Sequence, residues 1–115
     1  DPATARRALD TACRGFDRVS ADVIIGPGLE RARLLAELDE ITGRGVEHLS
    51  LYVLELHAGT PLARAVAAGA LTLPPDAETE ALYLACVEHL AGLGLRIVVR
   101  LDPGADAALQ TRTRP

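Results

Sequence analysis

The sequence predicts an α/β fold in which about three parallel strands are covered by helices. Strand-like and helix-like segments alternate along the 115 residues in the order α-β-α-β-α-α-β, and the connections are long enough for the crossovers that parallel strands need. The composition agrees, because 49% of the residues are apolar while only two Tyr and one Phe occur. The core must therefore be filled by aliphatic side chains. A barrel fragment and a small open sheet both satisfy these observations.

The first half of the chain contains a helix, a strand and a second helix. An Ala-rich stretch predicts a helix over residues 3–13, which Gly15 is placed to end. Residues 19–25 are dense in β-branched side chains and stop at a Gly-Pro-Gly turn, as expected of a buried strand. Leucines at helical spacing then predict a helix over residues 29–42.

A second strand and a short helix follow. Residues 48–56 repeat the strand pattern. Thr60 then stands in N-cap position with Pro61 at the first helical position, which predicts a short helix that ends near Ala68.

The last elements are a long helix, a third strand and a tail. After the break at residues 73–75, one apolar stripe predicts a helix; its members are Leu82, Ala85, Cys86, Leu90 and Leu93. Residues 95–101 read as the third strand. We expect residues 1–102 to form one α/β unit and residues 103–115, which are polar and rich in Thr and Arg, to form a polar tail.

Charge and composition exclude several classes of function. A net charge of -4 and a pI near 5.3 argue against nucleic acid as a partner, because phosphate binding needs a basic stripe. No apolar run approaches the ~20 residues of a membrane span. Two Cys far apart indicate reduced thiols and a cytoplasmic location rather than a disulfide framework. The chain has no Met, so we expect it to be an excerpt of a longer protein.

The carboxyl ends of the predicted strands are where functional groups of parallel α/β folds gather. Asp22 stands out, because a carboxylate inside an apolar strand is costly to bury unless it is paired. Two interpretations stay open: Asp22 satisfies donors within the fold, or it contacts a ligand. Gly26 begins the Gly-Pro-Gly loop, whose amides could approach a ligand at the start of the next helix. Without a recognised phosphate-loop pattern, a plain turn is the favoured interpretation.

Glu55 and His57 form the other candidate pair. Two residues apart in a strand, they project from the same face and could act as an acid/base pair. A solvated strand end is the more common explanation of such a pair. The three His and two Cys lack the spacing of metal ligands, so we predict no metal site and no catalytic residue in this chain.

Three motifs in register resemble a known family. Asp22 lies in a strand that ends in a Gly-Pro-Gly loop; a strand of the type HxSxY follows at residues 48–52, and Gly-Thr-Pro-Leu at residues 59–62. This order, over roughly residues 3–95, resembles the later part of coproporphyrinogen III oxidase-like radical-SAM proteins, especially their heme-chaperone branch. The resemblance implies a partial parallel (β/α) barrel over residues 1–102. It also implies S-adenosylmethionine as cofactor, and a heme or porphyrin as the molecule acted on.

The same resemblance implies the site residues and partners. Asp22 would contact S-adenosylmethionine, and Gly26 and Glu55 at the same strand ends complete the predicted cofactor-binding set. The CxxxCxxC motif that holds the family's [4Fe-4S] cluster is absent, and the family's Gly-Leu-Pro-Gly loop lacks its Leu here. We therefore expect the cluster to come from an upstream half barrel, and this chain alone to bind neither cofactor stably. Self-association is also expected, and a non-catalytic half barrel that binds a ligand or partner is the alternative function.

Overall fold

The computed structural model describes residues 1–102 and 105–113, with side-chain surroundings up to residue 96. This part of the chain is a mixed α/β structure. In chain order its elements are α1 (Pro2–Gly15), β1 (Ser20–Ile25), α2 (Arg31–Gly43), β2 (His48–Val53), α3 (Pro61–Ala67), α4 (Asp76–Gly92), β3 (Leu95–Asp102) and β4 (Ala105–Thr113). The predicted helices and strands are confirmed to within a few residues. β2 ends three residues before the predicted strand end at residue 56.

β1 and β2 form the parallel pair that the sequence predicted. Their register runs from Ser20 beside His48 to Ile25 beside Val53. At the carboxyl end, the Leu54 N–H donates to the Ile25 carbonyl at 2.8 Å. This bond extends the pairing one residue beyond the strands and fixes where the two following loops begin.

The other half of the sheet differs from the expected arrangement. The sheet order is β1-β2-β4-β3, and β4 is antiparallel to both of its neighbours. Ala105–Thr113 thus forms a strand where we expected a polar tail, and β3 runs in the direction of β2 without pairing with it. The backbone explains the difference, because a strand beside β2 and β3 satisfies its N–H and C=O groups whatever its side chains are. Residues 103–104 and 114–115 of the expected tail lie outside the described residues.

The core lies between one face of the sheet and the helices α2 and α4. Its fully buried side chains come from both layers; they are Ile25, Leu34, Leu38, Leu49, Leu51, Cys86 and Leu90. A hydrogen-bonded contact ties the two helices at their surface, where His89 Nε2 lies 2.7 Å from Asp39 Oδ1. Within the described residues, no helix is long and apolar enough to cross a membrane.

α1 is held to α2 by charged contacts rather than by the core. Arg6 donates to both carboxylate oxygens of Glu40 at 2.7 and 3.1 Å, and Arg44 Nη1 lies 2.7 Å from Asp10 Oδ1. The hydrogen bond from Arg6 holds the pKa of the Glu40 carboxyl below its ordinary value. No residue of α1 is buried. Exposed ion pairs contribute little stability, so α1 is only weakly anchored to α2.

Candidate functional site

A cleft of about 500 Å³ lies at the carboxyl ends of β1 and β2. It is bounded by the loop after β1, the end of β2 and the first two turns of α4. Most of its lining is apolar and includes Ile25, Pro27, Leu29, Leu54, Leu73 and Leu82. Both its place at the ends of parallel strands and its volume are typical of small-molecule sites.

The loop after β1 gives the cleft its wall. A Cβ atom built on Gly26 would lie 3.5 Å from Leu54 Cδ2, an ordinary van der Waals contact, so the backbone passes close to the neighbouring strand. Gly28 has a φ of 76°, a conformation that side-chain-bearing residues rarely adopt. The predicted site residue Gly26 therefore lies in the cleft, in a turn whose conformation requires a glycine at position 28.

Three charged residues stand at the rim of this apolar space. Arg31 begins α2, while Asp76 and Glu78 lie in the first turn of α4. None of the three was predicted as a site residue from the sequence. The available signals were an Arg three residues after the Gly-Pro-Gly loop and two acids within three residues of Pro74-Pro75, but only the fold brings these segments together.

Asp22 lies on the other face of the sheet. Ile25 points into the core, and exposure alternates along β1, so Asp22 faces the side that the helices leave open. Its partner in the parallel pair is Ser50, and residues paired in this way project from the same face. Asp22 is exposed here. The sequence marked Asp22 as a site residue because burying an unpaired carboxylate is costly. That cost does not arise here, because the carboxylate is exposed.

The open face becomes apolar toward the carboxyl ends of the strands. Ile24 and Tyr52 are register partners there, and 58% and 37% of their surfaces are exposed. Ser50, by contrast, is buried. The open face therefore exposes Asp22 on β1 and, further toward the strand ends, the apolar pair Ile24 and Tyr52. The sequence predicted neither the pairing nor the exposure of Ile24 and Tyr52.

Glu55 and His57 lie in the loop after β2, because the strand ends at Val53. The strand geometry predicted for them is therefore wrong. Glu55 Oε2 still approaches His57 Nε2 at 3.8 Å, with both side chains largely exposed. Glu55 does not line the cleft. The structure thus places Gly26 in the cleft, Glu55 in the loop after β2 and Asp22 within β1 on the open face, rather than all three in one pocket.

The Gly-Thr-Pro-Leu motif forms a helix cap. The Thr60 hydroxyl accepts a hydrogen bond from the Ala63 N–H at 3.1 Å and donates to the His57 carbonyl at 2.8 Å. Arg64 donates to the Gly59 carbonyl at 2.7 Å. The predicted N-cap is confirmed, and these contacts explain Gly59, Thr60 and Pro61 without a ligand.

The two thiols do not suit a [4Fe-4S] cluster, which is held by several Cys thiolates. Cys13 is half-buried on α1, and Cys86 is buried in the core between α4 and the sheet. Burial raises the pKa of the Cys86 thiol to about 11, although the Arg31 cation opposes this. Among the described residues, no three His, Cys, Asp or Glu side chains are grouped so that they could hold a metal ion.

Comparison with known proteins gives one kind of match. Over 73 residues the chain is 38% identical to the heme chaperone HemW in two strains of Mycobacterium tuberculosis. The matched segment covers 63% of this chain and 19% of each relative, so the chain spans about a fifth of the length of the proteins it matches. No family model matches the sequence. No solved structure matches it either. The chain is thus similar over most of its length to a limited part of HemW.

Proposed function

We propose that this chain is the later part of a partial (β/α) barrel in a radical-SAM protein of heme or porphyrin metabolism, located in the cytoplasm. An upstream half barrel would supply the [4Fe-4S] cluster and the remaining contacts to S-adenosylmethionine. The 38% identity to HemW supports the family, as do the three sequence motifs in register. The alternation of β1, α2 and β2, with β1 and β2 parallel, is compatible with this architecture.

The observation that carries the proposal is the two-faced character of the parallel pair. The helices cover only one face of β1 and β2, and the other face exposes Asp22 together with Ile24 and Tyr52. In a (β/α) barrel the helices form the outer layer and the second face of each strand points inward. An exposed face with a carboxylate and an apolar pair is therefore suited to the interior of a barrel that another segment completes.

Within this proposal each predicted site residue has a role. Asp22 would contact S-adenosylmethionine from the inner face, and Gly26 and Glu55 would border the barrel mouth at the strand ends. No described group of this chain suits the cluster, so the proposal assigns no redox step to it. Self-association of the isolated chain would follow from the same exposed face, because exposed apolar sheet faces tend to associate.

A second candidate function is a non-catalytic half barrel that binds a ligand or a partner. The cleft favours it, because the described residues of this chain form a cavity of small-molecule size. Such a module would need no upstream half.

A chimera tests the first proposal. The matched segment of Mycobacterium tuberculosis HemW is replaced by the corresponding residues of this chain, and binding of heme and of S-adenosylmethionine is measured by titration. If the chain supplies the equivalent part of a barrel, the chimera should bind both with affinities close to those of unaltered HemW. Circular dichroism should show the same secondary structure in both proteins.

Two controls sharpen this test. In a second chimera the residues of the replaced segment are shuffled. This chimera should bind neither heme nor S-adenosylmethionine, which would show that binding requires the sequence of the segment. A chimera that folds and melts cooperatively but binds neither molecule would contradict the proposal. Binding of a ligand by the isolated chain, combined with that result, would favour the non-catalytic module.

A further inference from the structure

The cleft contains opposite charges that do not pair with one another. Arg31 lies on the α2 side, and Asp76 and Glu78 lie on the α4 side. Among the described side chains, none of these three forms an ion pair or a hydrogen bond with another side chain. A cation and two anions therefore border one apolar space without neutralising each other.

Two other arginines in the first half of the chain do meet acids. Arg33, two residues after Arg31 on the same helix, lies 3.3 Å from Glu37, and Arg44 lies 2.7 Å from Asp10. The separation of Arg31 from Asp76 and Glu78 leaves one donor fork and two carboxylates available to a bound molecule.

We infer that the cleft binds an elongated zwitterion, a molecule with a carboxylate at one end and an ammonium group at the other. The carboxylate contacts Arg31, the ammonium group contacts Asp76 and Glu78, and the apolar body packs on the wall that includes Leu54. The volume of about 500 Å³ is within the range of small-molecule sites.

Charge complementarity selects this class over simpler ligands. A plain carboxylate would meet two acids as well as Arg31, and a plain amine would meet Arg31 as well as the acids. An α-amino acid carries both charges on one carbon, whereas Arg31 and the two acids belong to different helices. The inference depends on the cleft alone, so it stands or fails independently of the proposed function.

The test is a titration of the full chain, labelled with nitrogen-15, by nuclear magnetic resonance. The probes are the eight-carbon ω-amino acid aminooctanoate, octanoate and octylammonium. We expect aminooctanoate to shift the amides of Gly26, Gly28 and Leu54 and to bind about 1.5- to fivefold more tightly than either singly charged probe, the range for an exposed ion pair.

Three variants show which residues contact the carboxylate and the ammonium group of aminooctanoate. Arg31→Gln should reduce the affinity for aminooctanoate to that for octylammonium, while the double variant Asp76→Asn/Glu78→Gln should reduce it to that for octanoate. Arg33→Gln is the matched control and should change nothing, because Arg33 lies outside the cleft. All four positions are exposed, so folding should persist, which the spectra themselves verify.

Two results would overturn the inference. One is equal affinity for all three probes, which would mean that the cleft binds only the apolar chain. The other is an aminooctanoate affinity that Arg31→Gln and Arg33→Gln change equally, which would mean that the contact is with the general surface charge.

Discussion

Cys86 provides a direct test of the packing of α4 on the sheet. Its side chain is fully buried, and burial raises the pKa of the thiol from 9.0 to about 11. At about pH 8, a pKa near 11 leaves about one thiolate in a thousand, against about one in ten for a pKa near 9.0. Because the thiolate is the reactive form, alkylation of Cys86 should be at least about 100-fold slower in the folded chain than in the unfolded chain.

Alkylation by iodoacetamide, followed by mass spectrometry, measures this difference. The variant Cys13→Ser leaves Cys86 as the only thiol, and rates are compared with and without guanidinium chloride. Folding of α4 onto β2 as described predicts slow reaction in buffer and rapid reaction in denaturant. Similar rates in both conditions would refute the described position of Cys86 in the core.

The same residue predicts a change of stability with pH. Folding favours the protonated Cys86 thiol, because the pKa of this thiol is higher in the folded chain. The thiol therefore makes its full contribution to the free energy of unfolding below pH 9, and this contribution is lost as the pH rises from about 9 toward 11. The free energy of unfolding should fall by up to about 1.4 kcal/mol per pH unit in this window. The chain also has two Tyr and a second Cys, so the comparison with Cys86→Ala isolates the contribution of Cys86. Urea titrations should show a shallower decline for Cys86→Ala, and an equal decline would contradict the assignment.

Three further changes test separate parts of the fold. Leu38→Ala, at a fully buried position, should lower the free energy of unfolding by about 2 to 5 kcal/mol in urea titrations; Leu84→Ala, at a position 53% exposed, should change it by less than about 1 kcal/mol. Thr60→Ala should cost about 1 kcal/mol through loss of the α3 cap, and Thr60→Ser should restore most of it. Arg6→Ala removes the bidentate contact to Glu40, so amide hydrogen exchange should become faster in α1 while α4 is unchanged.

Some elements begin or end at residues whose effect is confined to a few neighbours, and the sequence predicted these boundaries correctly. The Gly-Pro-Gly loop ends β1 and Thr60 caps α3 for reasons that are visible within a few residues. For β4 the sequence holds one local signal that the prediction did not use, because Pro103-Gly104, a dipeptide typical of turns, precedes residues 105–113. Pairing of β4 with β3 joins neighbouring segments of the chain. Its pairing with β2 joins distant segments, which no local pattern encodes.

The candidate site shows the same limit. The sequence marked Asp22 as unusual within an apolar strand, but it did not say which face of the sheet carries the carboxylate. Arg31 and Asp76 are far apart in the chain, and both line the cleft because the fold brings the first turns of α2 and α4 to the carboxyl ends of β1 and β2. Topology, rather than residue pattern, therefore determined which charged groups share the site.

The most direct test of the proposed function concerns Asp22 in the HemW chimera. Asp22→Asn keeps the shape of the side chain and removes its charge; Asp17→Asn, at an exposed position before β1, is the control. The proposal predicts that Asp22→Asn weakens binding of S-adenosylmethionine by about 1 to 3 kcal/mol, the range for a charged hydrogen bond, and leaves the denaturation midpoint nearly unchanged. A lower midpoint with unchanged affinity would contradict it, because Asp22 would then stabilise the fold without contacting the cofactor.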